Sequence, residues 1–128
     1  MSETEKLTIN LTAVDLGQIE LLVEQGFYSN RAEFIRVAIH DQLAKHTETV
    51  RETATRHGFL IGAMTFTRHA LEERRASGRR LALRVVGFLS IADDVPPELA
   101  REVIESVQVA GIFKASKAVK EALADRTS

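Results

Sequence analysis

Lys6, Thr8 and Asn10 stand at every second position, and together they offer an ammonium donor, a hydroxyl and a side-chain amide on one side of an extended chain. A second set, Ser29, Asn30 and Arg31, falls where a helix begins. Unpaired backbone N–H groups and the positive end of the helix dipole gather there, so an anion such as phosphate can bind without a large basic patch. Other candidates for chemistry are weaker. His40, His46, His57 and His69 form no His-x-His cluster, and the chain has no cysteine. Arg74, Arg75, Arg79 and Arg80 surround Ser77 and Gly78, a pattern of a solvated turn. Asp93 and Asp94 precede Val95-Pro96-Pro97 and are expected to cap a helix; adjacent carboxylates lack the opposed geometry of an acid–base pair. No Ser/His/Asp arrangement, phosphate-cradling glycine loop or dinucleotide fingerprint occurs, so no enzyme activity, catalytic residue, metal site or cofactor is expected.

The polar triplet needs a strand to position it. Leu7, Ile9 and Leu11 interleave with Lys6, Thr8 and Asn10, predicting a strand with one apolar and one polar face. Thr12 stands at an N-cap with Asp15 three residues on, and Val14, Leu16, Ile19, Leu22 and Val23 follow at helical spacing until Gly26. Asn30 with Glu33 forms a second capping box, ahead of Phe34, Ile35, Ala38, Ile39, Gln42 and Leu43. A strand and two helices of this size bury too little surface to fold alone, and a single strand has unpaired edges. Two copies resolve both problems. Their strands pair as an antiparallel ribbon whose width suits the DNA major groove, and four helices close over the apolar face.

The strand at residues 6–11 and the segment Gly26-Phe27-Tyr28-Ser29-Asn30-Arg31-Ala32-Glu33-Phe34-Ile35-Arg36 resemble the ribbon-helix-helix superfamily of DNA-binding proteins, which includes the arc and methionine repressors, plasmid copy-number regulators and many antitoxins. The resemblance covers about the first third of the chain; the C-terminal region resembles no recognised family. It implies a homodimer bound to double-stranded DNA, with Lys6, Thr8 and Asn10 reading base edges and Ser29, Asn30 and Arg31 anchoring backbone phosphates. The nickel-responsive regulator of this superfamily binds metal through histidines and a cysteine; without cysteine, and with only His69 in the C-terminal repeat, that likeness fails.

Charge sharpens these expectations. The chain's formal net charge is −1, yet residues 1–46 hold four cations against seven carboxylates. A module that net acidic must rely on a few placed contacts rather than on bulk attraction, so a shallow salt dependence is expected. No apolar run approaches the roughly 20 residues of a membrane helix, and Met1-Ser2-Glu3-Thr4-Glu5 is acidic where a secretory signal is basic, so a cytoplasmic protein with no membrane partner is expected.

The expected domains are 1–46, a ribbon-helix-helix module for DNA binding and dimerisation; 47–57, a helical extension or linker; and 58–128, a β-α repeat for oligomerisation or for binding a partner or effector. Setting Gly62, Gly87 and Gly111 in register aligns Leu60 with Val85 and Val109, Met64 with Leu89 and Phe113, and Phe66 with Ile91 and Ala115, at spacings of 25 and 24 residues. Each strand-like unit precedes a helix-like piece, at 68–76, 95–104 and 117–124, with Thr67 and Ser116 as N-caps. The fold class expected is therefore α+β: a ribbon-helix-helix module followed by a βαβαβα region, either a short solenoid or a small parallel layer. Three functional readings follow. The first is a sequence-specific regulator, a repressor, whose C-terminal part joins dimers into tetramers or longer arrays. The second is an antitoxin-like autoregulator whose C-terminal part binds a protein partner, and the third is a self-assembling structural protein.

Overall fold

The computed structural model describes residues 4–128, so the acidic start at residues 1–3 lies outside the described residues. Two compact units emerge, one of Glu5–Val50 and one built mainly of Arg51–Ser128.

In the first unit, residues 5–11 run without regular secondary structure into α1, Ala13–Glu24, and α2, Arg31–Lys45. Thr12 caps α1, its hydroxyl accepting the Asp15 N–H at 3.1 Å. Gly26, at φ +85°, ends that helix; its N–H reaches the Val23 carbonyl at 3.1 Å and the Phe27 N–H reaches Leu22 at 3.0 Å. Only a residue without Cβ takes this left-handed turn cheaply, which is why the glycine is where the chain reverses. The expected strand at residues 6–11 is not a strand within one chain, because no backbone among the described residues pairs with it. The predicted weak helix beyond residue 46 is α3, Thr47–Arg56, and its range crosses the boundary between the units.

The second unit holds a three-stranded parallel sheet in the order β1-β2-β3: Leu60–Phe66, Leu81–Ile91 and Ile104–Lys114. Between and after the strands come α4, Arg68–Ala76, α5, Pro97–Val103, and α6, Lys117–Ala122. Leu60 pairs with Val85, Gly62 with Gly87 and Met64 with Leu89; Val85 then pairs with Val109, Gly87 with Gly111 and Leu89 with Phe113. Side chains alternate across β2, so Leu83, Val85, Leu89 and Ile91 are buried in one cluster with Leu71 of α4, Leu99 and Val103 of α5 and Val119 of α6. The helices therefore cover one face of the sheet. Thr67 and Ser116 cap α4 and α6, accepting the N–H groups of Ala70 at 3.1 Å and Val119 at 3.2 Å. The acidic pair does not act as expected: Pro96 occupies the N-cap of α5 and no side chain bonds the helix end there. With a proline at N-cap and another opening the helix, Asp93 and Asp94 fall too far upstream.

Candidate nucleic-acid interface

Residues 5–11 present both faces of the extended segment to solvent. Lys6, Thr8 and Asn10 are exposed, and so are Leu7, Ile9 and Leu11, at 82%, 64% and 42% of their full surface. Ile19 alone is buried among the described residues of this unit. Ile9 and Leu11 line an open groove with Leu16 and Ile19 of α1 and Ala32 and Ile35 of α2. Val14, Leu21, Phe27, Val37, Ile39 and Leu43 are also exposed. An isolated chain would leave most of its candidate core in water, at about 1.5–3 kcal/mol of forgone burial for each large apolar side chain.

At the start of α2, Asn30 Oδ1 accepts the Glu33 N–H at 2.8 Å, as its capping role requires. The return bond differs from expectation: the Glu33 carboxylate accepts the N–H of Ser29 rather than that of Asn30. Tyr28 and Phe34 pack edge to face beneath this turn, with ring centroids 5.0 Å apart. Arg31 is held by Glu20 of α1 at 3.5 Å, with both side chains more than half exposed. Sequence reading missed Glu20 as a partner, since it sits eleven positions away on another helix and no local pattern signals the pair. The structure thus brings Ser29, Asn30 and Arg31 together at one helix end, and sets two carboxylates beside them.

The bond from Ser29 lowers the pKa of Glu33 below its ordinary 4.5. The ionised carboxylate is favoured in the folded state, so its contribution to the α2 end is complete above the unfolded value. It is lost as pH falls through the lower folded value. In an NMR titration the Ser29 amide is expected to shift with a midpoint below the usual Glu range, and Glu33→Gln should abolish that shift. An Ser29 midpoint at the ordinary Glu value would show that the bond does not persist in solution.

His69 faces Glu73 on α4, Nε2 to Oε1 2.9 Å, and no group of three or more His, Cys, Asp or Glu residues able to hold a metal occurs among the described residues. At the α4–β2 turn Arg75 lies 3.9 Å from Glu102, and Gly78, at φ +72°, closes the helix end. No helix among the described residues is long and apolar enough to cross a membrane.

An extended, unpaired segment leading into two capped helices, followed by a β-α unit, defines a small regulator of the ribbon type. Over residues 2–120 the chain matches the Ribbon-Helix-Helix transcriptional regulator family, and it belongs to that family. The match runs well past the first third, so the C-terminal unit that resembled nothing by sequence falls within the family as well. The chain is also similar to transcriptional regulator CdrS of Halobacterium salinarum, 32% identical over 44 residues, which are 34% of this chain and 80% of that protein. No solved structure matches the chain.

Proposed function

We propose that the protein is a sequence-specific DNA-binding repressor that acts as a homodimer, its two segments of residues 6–11 pairing as an antiparallel ribbon in the major groove. Lys6, Thr8 and Asn10 then read base edges, while Ser29, Asn30 and Arg31 hold the backbone phosphates. The observation that carries this reading is the exposure of both faces of residues 5–11 beside an open apolar groove. A partner strand supplies the missing hydrogen bonds, brings Leu7, Ile9 and Leu11 out of water and leaves the polar face to the bases. The second unit, 58–128 by the sequence boundaries, is read as a stacked β-α repeat that joins dimers into tetramers or longer arrays, so that weak single-dimer binding becomes cooperative.

Capture and sequencing of genomic fragments by the purified protein tests this. Enrichment of a recurrent site, with half-sites at a constant spacing, is expected; intact dimers that enrich no sequence would reject it. The Glu20 pair gives a further expected outcome. Phosphate must compete with Glu20 for Arg31, and an exposed pair of this kind is worth at most about 1 kcal/mol. Glu20→Gln should therefore strengthen binding to specific and random duplexes alike, by up to about fivefold. Fluorescence anisotropy over a salt series checks it, and weaker binding of both duplexes by the variant would reject this competition.

A further inference from the structure

The central strand shows what each glycine of the sheet is for. Gly62, Gly87 and Gly111 share an unusual backbone conformation, with φ of +143°, +134° and +132°. At Gly87, a Cβ would lie 2.1 Å from the carbonyl oxygen of Gly62; at Gly111 it would lie 2.0 Å from that of Gly87. Each glycine thus receives the carbonyl of the glycine one strand earlier, in the space a side chain would fill. Gly62 has the same conformation, yet nothing lies within 4 Å of its Cβ position. β1 is prepared for a carbonyl that none of the described residues delivers.

We propose that the carbonyl is that of Gly111 from a second copy, and that the outer edge of β3 in one molecule docks in parallel against the outer edge of β1 in the next. This deepens the assembly part of the proposed function and rests on it; it does not depend on which DNA bases are read. Four observations converge on this occupant. The register within the sheet, Gly62 to Gly87 to Gly111, extends unchanged to a fourth rung that sets residues 109–114 of one copy beside residues 60–65 of the next. Those residues of β3 have no strand on their outer side among the described residues. The part of β3 just before them is covered: Thr127 bridges Val107, and the Ser128 N–H reaches the Val107 carbonyl at 2.9 Å. Arg101 holds Asp125 at 2.9 Å and Arg126 bonds the carbonyls of Arg101 and Ile104, so this cap is anchored beside Val107, before residues 109–114.

The chemistry of the edge agrees. Leu60 and Ile61, 48% and 51% exposed, are the exposed large hydrophobic residues recorded among the described part of residues 51–128, and both lie on this edge. β1 carries no charge and no proline, the devices by which free edges are kept from pairing. Docking places Leu60 beside Val109 and Ile61 beside Ala110, continuing the apolar rows already built across the sheet. The junction is heterologous, so it propagates as a chain of dimers or closes as a ring.

The absence of native cysteine allows a direct test. Ile61→Cys and Ala110→Cys are introduced together in the full-length protein. Within one molecule these positions lie two strands apart with Val86 between them, about 9.6 Å. That exceeds the roughly 7 Å beyond which cysteines cannot bridge, whereas neighbours across the proposed junction stand about 4.8 Å apart. Mild oxidation is expected to produce a ladder of covalent oligomers from the double variant and no ladder from either single variant. Dimers from Ile61→Cys alone would mean that β1 edges pair with each other, and absence of any cross-link would mean that the edges stay free; either result overturns the proposal. Sedimentation of the wild type separates the two levels: oligomers larger than dimers without the ladder reject this junction only, while dimers alone at high concentration reject assembly itself.

Discussion

Replacing Gly87 with alanine is expected to unfold the C-terminal sheet, at a loss of about 3–5 kcal/mol, near the upper end of what single substitutions do. The new methyl would sit 2.1 Å from the Gly62 carbonyl oxygen, and the obstacle is backbone, which cannot rotate aside. Relief requires β1 and β2 to separate by about an ångström, which stretches the hydrogen bonds between them beyond useful length. A positive φ adds about 1–2 kcal/mol for any residue with a Cβ. Gly78→Ala is the matched control: it also has a positive φ, +72°, but nothing lies within 4 Å of its Cβ position. It should lose only that backbone term. Urea unfolding followed by hydrogen exchange across residues 81–114 distinguishes them, because protection in β2 should collapse for Gly87→Ala and persist for Gly78→Ala. Equal losses would mean that the strands tolerate a wider spacing than the structure has.

Converting Lys6, Thr8 and Asn10 together to alanine is expected to reduce binding at the captured site by at least about 10³-fold, to the level of random DNA, while leaving thermal unfolding unchanged. All three side chains are exposed and make no internal hydrogen bond among those recorded, so the fold has little to lose. A dimer would present six such side chains, and a well-formed bidentate contact to a base discriminates by about 1–3 kcal/mol. Arg31→Ala should behave differently, weakening all duplexes by a similar factor and reducing the salt slope by about one per site lost. Gel-shift titration against the captured site and a scrambled duplex measures both. A triple variant that keeps its preference for the site would remove the ribbon from the role of reader.

The helix boundaries were legible because they are local. Thr12, Asn30, Thr67 and Ser116 bond N–H groups three residues away, and Gly26 turns the chain within its own neighbourhood, so residue type and short spacing suffice. The glycine spacing also carried over: Leu60, Gly62, Met64 and Phe66 pair with Val85, Gly87, Leu89 and Ile91, and Val85, Gly87 and Leu89 pair with Val109, Gly111 and Phe113, whereas Ala115 lies beyond β3. What failed was chemistry that depends on more than spacing. The acidic pair at Asp93 and Asp94 looked like a cap, but two prolines had already taken the helix start. The capping box of Asn30 and Glu33 closes through the N–H of Ser29 rather than that of Asn30, a detail that spacing does not specify.

By itself, then, the sequence determined the kinds and order of the helices and of the three sheet strands, the alternation that separates Lys6, Thr8 and Asn10 from Leu7, Ile9 and Leu11, and the register of Gly62, Gly87 and Gly111. Each of these follows from periodicity or from contacts a few residues apart. Only the tertiary structure decided that Glu20 holds Arg31, that Thr127 caps β3 at Val107, and that carbonyls fill the space beside Gly87 and Gly111 but not beside Gly62. Those facts join residues distant in sequence, and their geometry depends on how the backbone returns to itself, which no local pattern encodes.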